Sequence, residues 1–371
     1  MSEPHLYVGL ISGTSRDGVD AVLVSFDDDR PRVRNTRCLP YPERITTMLD
    51  ELLQTGRRPP DQALRKLDRD IAQHFADATL QLLRAAGLQA DAVRAIGSHG
   101  QTIWHDPDGP RPESIQLGDA ATIAAQTGIV TVADFRRADI EAGGQGAPLA
   151  PLLHRTVFRP SHGKRVVLNL GGIANISVID AGGEVAGFDT GPANCLLDAW
   201  IRHRHGAPFD REGAWAATGR IDNALLRDLL VDPWFARAAP KSTGIEYFNL
   251  EWLAEKLQDR NIADRDVQAT LAELTARSVA DAVRLCDTVD VLLCGGGIHN
   301  DDLIGRLARQ LPETPLRSTH DFGIDPDSVE AVLFAWLARE RLAGRPQDTR
   351  SITGARSPVL LGNITLPAGV E

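Results

Sequence analysis

Leu6-Tyr7-Val8-Gly9-Leu10-Ile11-Ser12-Gly13-Thr14-Ser15-Arg16-Asp17-Gly18-Val19-Asp20-Ala21-Val22-Leu23-Val24-Ser25-Phe26 reads as two apolar strands around a polar turn. Asp17-Gly18 supplies a strong hairpin dipeptide. The plan returns in mid-chain, where Val166 to Leu170 is apolar, Gly171-Gly172 breaks it, and Ile173 to Ile179 resumes. A third strand-to-glycine junction is Val291-Leu292-Leu293-Cys294-Gly295-Gly296-Gly297. Glycines let backbone N–H groups approach an anion closely, and Thr14 and Ser15 add hydroxyl donors. Asp17 is placed to hold a metal beside phosphates, directly or through water. Each junction taken alone is equally an ordinary loop, and the first lacks the Gly-Lys-Ser/Thr ending of a Walker loop. Together the three point to two facing sheets clamping a nucleotide.

Helical patterns separate these junctions. Leu64, Leu67, Ile71, Phe75, Leu80 and Leu83 recur at helical spacing over Asp61 to Ala86, and Gly87 is a stop. Asp27 to Arg37 reads as a turn and an exposed edge, and Val93 to Ser98 as a buried strand followed by the loop Ser98-His99-Gly100-Gln101. Ala120 to Gln126 reads as a helix and Gly128 to Ala133 as a strand. Val267, Leu271, Leu274, Ser278, Ala282 and Leu285 share one helix face. Asp325-Pro326 opens a helix through Val329, Val332, Leu333, Trp336 and Leu337 to Gly344. Strands alternating with helices make an α/β protein. The glycine-rich stretch Ala142 to Ala147 is the best boundary, giving lobes 1–140 and 141–349. The apolar tail, Pro358 to Pro367, is suited to pack back as a strand, so 350–371 is free to join the first lobe.

The 371 residues carry 40 Lys+Arg and 50 Asp+Glu, a net charge of −10. That excludes a nucleic-acid binder relying on phosphate neutralisation. No uncharged stretch approaches the roughly 18 residues of a membrane-spanning helix, and Met1 to His5 lacks the basic start of a secretory leader. Cys38, Cys195, Cys286 and Cys294 are scattered without a Cys-x-x-Cys pair, which reads as reduced thiols in the cytoplasm.

Gly187-Phe188-Asp189-Thr190-Gly191-Pro192-Ala193-Asn194 carries the sharpest chemical signal. An acidic residue at a strand end, beside a helix opened by Pro192, is placed as a general base; the alternative is a helix cap. Ser98, His99, Gln101 and His105 offer hydrogen bonds to a polyhydroxylated substrate, or satisfy backbone carbonyls of their own loop. Arg136 is suited to grip a carboxylate bidentately, or to pair with a nearby Asp. Glu330 sits among Val329, Ala331 and Val332, and a half-buried carboxylate needs a partner or a task; otherwise it is an exposed helix residue.

Nine blocks occur in the order expected of anhydro-N-acetylmuramic acid kinases: Gly13-Thr14-Ser15-x-Asp17-Gly18-Val19-Asp20, Gly97 to Thr102, Asp134-Phe135-Arg136, Ala142 to Leu149, Asn169 to Asn175, Gly187 to Pro192, Lys241-Ser242-Thr243-Gly244, Asp266 to Leu271, and Cys294 to Gly297. The chain resembles that family over nearly its whole length. The resemblance implies a two-lobed, actin-like ATPase (ribonuclease H-like) fold with ATP and Mg²⁺ in a central cleft. It implies hydrolytic opening of 1,6-anhydro-N-acetylmuramic acid and phosphorylation of O6, in cell-wall recycling, by a cytoplasmic homodimer. Asp189 would be the base, with Glu330 sharing its water. Gly13 to Asp20, Gly171, Gly172 and Asn175 would grip the phosphates, with Asp17 toward Mg²⁺. Gly295, Gly296 and Gly297 would lie on the adenosine side. Ser98, His99, Gln101, Arg136, Gly143 and Gln145 would bind the sugar and its lactyl carboxylate.

Arg16 stands where the family more often has Leu, Glu141 where Ala is common, Ser177 for Thr and Ala193 for Gly; none of these removes a proposed catalytic group. Three other readings differ in what they require. A kinase of an intact sugar needs no separate water-activating base. An ATP-independent glycosidase using Asp189 and Glu330 needs no glycine junctions. An actin-like filament polymerises with ATP.

Overall fold

The computed structural model describes residues 5–13, 16–27, 29–53, 58–239, 241–258 and 260–367. Its elements run β1 (Leu6–Ser12), β2 (Gly18–Asp27), β3 (Arg30–Pro40), α1 (Glu43–Leu53), α2 (Asp61–Ala86), β4 (Val93–Asp106), β5 (Glu113–Leu117), α3 (Ala120–Thr127), β6 (Thr131–Ala133), α4 (Arg137–Glu141) and α5 (Ala150–Val157). Then come β7 (Lys164–Leu170), β8 (Ile173–Asp180), β9 (Val185–Pro192), α6 (Asn194–His205), α7 (Asn223–Leu230), α8 (Leu250–Leu257), α9 (Asp264–Arg284), β10 (Thr288–Cys294), α10 (Asp301–Gln310), β11 (Leu316–Ser318), α11 (Val329–Leu342) and β12 (Asn363–Thr365). Two compact units result, Met1–Val157 with Ser328–Glu371, and Phe158–Asp327.

The first unit's sheet runs β12-β6-β4-β1-β2-β3, with β5 paired to β4; the second's runs β11-β10-β7-β8-β9. Counted from each unit's opening hairpin, the two orders match. A three-stranded antiparallel meander is joined at its first strand by a parallel strand that returns through helices. The repeated hairpin in the sequence is therefore a repeated sheet, the α/β, ribonuclease H-like plan expected. Central strands β1 and β7 are buried almost throughout, as parallel strands covered on both faces must be. Leu67, Ile71, Phe75 and Leu82 of α2 pack on the first sheet with Val8, Leu10 and Leu23. Gly87 ends that helix in the left-handed conformation, its N–H closing onto the Arg84 and Leu83 carbonyls. In the second unit, α9 and α10 cover the sheet through Val279, Val283, Leu303 and Leu307.

Helices α5 and α11 belong to the first unit, whereas boundaries at 140/141 and 349/350 assign them to the second lobe. The reason is a contact that no local pattern reveals. Gly9 of β1 and Gly97 of β4 are register partners. A Cβ on either would run into the backbone of α11, at the Ala331 and Phe334 carbonyl oxygens. Two bare glycines thus let α11 lie directly on the middle of the first sheet. The tail returns to this sheet too, with β12 antiparallel to β6.

Two further expectations are corrected. His99, Gly100 and Gln101 are not in a loop: β4 runs on through them to Asp106, because from Gln101 onward its backbone is paired antiparallel with β5. Asp189 lies within β9 rather than at its end, since the strand continues to Pro192 and α6 begins at Asn194.

Candidate active site

In the second unit, Cys294, Asn169, Asn175 and Asp189 are successive register partners across β10, β7, β8 and β9. Residues paired in this way share a sheet face, so two amides and a carboxylate form one polar row. The Asp189 main chain donates to the Lys241 carbonyl at 3.0 Å. The Thr243 N–H donates to Asp189 Oδ2 at 2.8 Å. Residues Lys241 to Thr243 are therefore clipped to Asp189 twice, once at its backbone N–H and once at its carboxylate. Trp234 fixes it from behind, its indole N–H donating to the Ser242 carbonyl at 3.2 Å and its ring lying 4.4 Å from the Lys241 ammonium. Burial pushes the Asp189 carboxyl up to about 7; Glu246 adds to the rise, while the Thr243 N–H and the Lys241 charge oppose it. A carboxylate poised near neutrality can take a proton and still exist ionised at working pH.

The glycine junctions of this unit touch. The β7–β8 turn is pinned by the start of α6: the N–H groups of Ala193 and Cys195 donate to the Gly172 carbonyl, and that of Asn194 to the Gly171 carbonyl. Asn194 Nδ2 also donates to the Leu170 and Gly171 carbonyls. Gly295 takes φ +82°, and a Cβ there would collide with Asn169 Oδ1. By contrast, a Cβ on Gly296 would meet nothing within 4 Å. Bare backbone beside open space is what a bound nucleotide requires, and the junctions fit one.

In the first unit, Ser12 Oγ donates to Gln101 Oε1 at 2.7 Å and Gln101 Nε2 donates to the Gly13 carbonyl at 3.3 Å. Gln101 thereby braces the start of the first junction. Thr14 and Ser15 lie outside the described residues. Arg16 takes φ +57°, and its guanidinium is 3.1 Å from Asp50 of α1, so its charge is engaged there. Asp17 is exposed and offers the hard oxygen that Mg²⁺ prefers. Among the described residues no group of three or more His, Cys, Asp or Glu is placed to hold a metal by itself; Mg²⁺ is ordinarily held by one or two carboxylates with water and substrate phosphates. Gly18 and Val19 are buried and Asp20 is exposed; the Val19 side chain belongs to the core.

His99 and Arg136 form the second cluster of this unit. Arg136 Nε and Nη2 approach His99 Nε2 at 3.2 and 2.9 Å, and Nη1 donates to the Gly146 carbonyl at 2.9 Å. His99 Nδ1 is 3.1 Å from the Gly100 carbonyl. The pattern requires a neutral ring with its proton on Nδ1, and burial, then the Arg136 charge, holds the His99 pKa well below its usual value. Burial also lowers the Arg136 pKa to about 10, against the pull of Glu330 and Asp139, leaving it charged at neutral pH. Phe334 of α11 stacks on His99 at 4.5 Å. The Ser98 hydroxyl is buried and has no hydrogen-bond partner among the described residues.

Glu330 is exposed, not half-buried as its apolar neighbours imply, although Val329, Ala331 and Val332 are themselves buried. Surrounding protein nonetheless raises its carboxyl pKa, with Arg136 opposing and Asp20 adding to the rise. Of the residues expected at the sugar, Gln145 Nε2 donates to Asp108 at 2.8 Å, and a Cβ on Gly143 would meet the Arg356 guanidinium. The sequence reading missed Asp139, which is fully buried, and gave no role to Lys241 or Thr243. The one available signal was that the latter two lie in a block of the family pattern.

Comparison with known proteins shows the family. A family model described as anhydro-N-acetylmuramic acid kinase matches residues 5–367. The protein of that name from Xanthomonas axonopodis pv. citri (strain 306) is 51% identical over 365 residues, 97% of each chain. Those from Pasteurella multocida (strain Pm70) and Vibrio cholerae serotype O1 are 46% and 44% identical, over 96% of each chain in the first case and over 99% of this chain and 100% of the relative in the second. Likeness to solved structures is looser: a ROK family glucokinase from Streptomyces griseus in complex with glucose and AMPPNP aligns over 90% of this chain and 99% of its own, at 15% identity and a TM-score of 0.40, and no functional assignment follows from it.

Proposed function

The chain belongs to the anhydro-N-acetylmuramic acid kinase family, and we propose that this kinase opens 1,6-anhydro-N-acetylmuramic acid with water while transferring the γ-phosphoryl group of ATP to O6. The products are N-acetylmuramic acid 6-phosphate and ADP, and the setting is peptidoglycan recycling by a cytoplasmic homodimer.

The observation that carries the mechanism is Asp189, held between the Lys241 carbonyl and the Thr243 N–H with its carboxyl raised to about 7. Asp189 takes a proton from water as the water oxygen bonds to C1. The C1–O6 bond breaks, O6 attacks the γ-phosphorus, and ADP leaves with the bridging oxygen. Coupling the two steps traps a poor alkoxide leaving group as it forms. Glu330 is the second carboxylate of this chemistry, as in glycosidases that invert. Arg136, charged and fixed by His99 and Gly146, receives the lactyl carboxylate, and the unpartnered Ser98 hydroxyl receives a sugar hydroxyl. The turns at Gly13 to Asp20, Gly171-Gly172 and Gly295 to Gly297 hold the nucleotide, with Asn175 beside them. Asp17 is the residue toward Mg²⁺, which when bound neutralises phosphate charge.

The test is a coupled assay with ATP-Mg²⁺ and 1,6-anhydro-N-acetylmuramic acid in ¹⁸O-labelled water. ADP release with one label at C1 of a 6-phosphate supports the reading. Label without ADP would make the protein a glycosidase; ADP release only with another sugar would overturn the substrate.

A further inference from the structure

The loop that carries Gly143 to Gly146 is fastened by two residues, one just before it and one 214 positions further along the chain. Asp139, at 0% exposure, accepts from the Gly146 N–H at 2.7 Å through Oδ2 and from the Thr353 hydroxyl at 2.8 Å through Oδ1. Thr353 holds the same loop a second time, its carbonyl accepting from the Gln145 N–H at 2.9 Å. Gly144 has no side chain because a Cβ there would strike Asp139 Oδ2 and Thr353 Oγ1. The Gly146 carbonyl then accepts from Arg136 Nη1. The relay is thus Thr353 to Asp139, Asp139 to the Gly146 N–H, and the Gly146 carbonyl, on the following peptide unit, to the guanidinium.

We infer that Asp139 and Thr353 are positioning residues for recognition of the substrate's carboxylate, acting through Arg136. The inference rests on the proposed function, because it needs Arg136 to receive the lactyl carboxylate. The physical ground is that a buried carboxylate with both oxygens satisfied is a rigid anchor. Gly146 stands at φ +68°, and with its N–H held by Asp139 on one side of its Cα and its carbonyl by Arg136 on the other, the turn is pinned at both of its peptide groups. A segment near the C-terminus therefore sets the aim of a side chain more than 200 positions earlier (Thr353 and Arg136).

The experiment compares wild type, Thr353→Val, which keeps the shape and loses the hydroxyl, and Thr353→Ser, which keeps the hydroxyl. Steady-state kinetics are measured with 1,6-anhydro-N-acetylmuramic acid and ATP, and calorimetric binding with that sugar and with 1,6-anhydro-N-acetylglucosamine, which lacks the lactyl carboxylate. We expect Thr353→Val to lower kcat/KM for the carboxylate-bearing sugar about tenfold or more, the usual scale for lost support behind a binding group. The KM for ATP and the binding of the carboxylate-free sugar should stay within about twofold of wild type, and Thr353→Ser should recover most of the loss. If Thr353→Val does not fold, Thr353→Ala is read the same way. Wild-type behaviour in both folded variants overturns the inference. So does an equal loss toward both sugars, or no recovery by Thr353→Ser. If wild type itself neither binds nor turns over the anhydro-muramic acid, the proposed function falls and this inference falls with it; binding by wild type that Thr353→Val leaves intact sinks this inference alone.

Discussion

Gly9 and Gly97 face each other across the parallel strands β1 and β4, and together they form the flat spot on which the backbone of α11 rests. The contact seats Phe334 over His99. Adding one methyl group at Gly9 forces backbone apart rather than a flexible side chain. Gly9→Ala should therefore cost about 3 kcal/mol, the upper end for overpacked sites, and lower Tm by roughly 6–12 °C. Thermal unfolding that moves by less than a degree would show that α11 does not bear on this strand.

Asp189→Asn keeps the side chain's shape and still accepts from the Thr243 N–H, but it cannot take a proton. Turnover should fall about 10³-fold or more, while nucleotide binding by calorimetry stays near wild type. Retained turnover would remove Asp189 as the base.

The raised Asp189 carboxyl has two pH signatures. For activity, kcat/KM for the sugar should rise with pH through about 7 as the base ionises. For stability, the sign follows from proton binding. The unfolded carboxyl titrates near pH 4 and the folded one near 7, so the native state holds the extra proton between these values. This group therefore lowers stability as pH rises across that window, and its cost is complete above it. The Tm of Asp189→Asn relative to wild type should thus increase between about pH 5 and about pH 8. A constant difference would contradict the folded value.

Lys241 opposes the rise in Asp189. Lys241→Met removes its charge and should move the acidic limb of the kcat/KM profile upward, by less than about one pH unit, since burial is the larger cause. A downward or absent shift would mean that Lys241 does not act on the base.

The stereochemistry is also testable. Water attacking C1 opposite O6 inverts that carbon, so early NMR spectra should show the α-anomer of the 6-phosphate before mutarotation. The β-anomer appearing first would reject in-line attack.

Much of this was legible because it is local. The hairpins at residues 6–26 and 166–179 and the helix over 61–86 declare themselves by periodicity within a few residues, and the structure holds them. What stayed hidden depends on distant partners. His99 and Gln101 look like a polar loop until Arg136, Ser12 and the Gly13 carbonyl satisfy them inside β4. Asp189 reads as the end of a strand because a helix opened by Pro192 follows, yet β8 pairs β9 almost throughout, out to Pro192. Glu330 has apolar neighbours that are buried only because Gly9 and Gly97 leave room for the helix carrying them. The place of α11 in the first unit rests on that same fit, and Asp139 acquires its meaning only from Thr353.

The first unit is assembled from the two ends of the chain, and the second is one uninterrupted stretch. A ribosome releases β1 to β6 early, but the helix that covers their central glycines and the strand that finishes their sheet emerge last. The second unit has all of its own strands before that and can fold first, within the growing chain. Until then the first sheet waits with an apolar face uncovered, exposed to chaperones or to neighbouring chains. A nascent chain stalled before residue 328 would be half folded at its C-terminal side and unprotected at its start, the reverse of the usual order of synthesis.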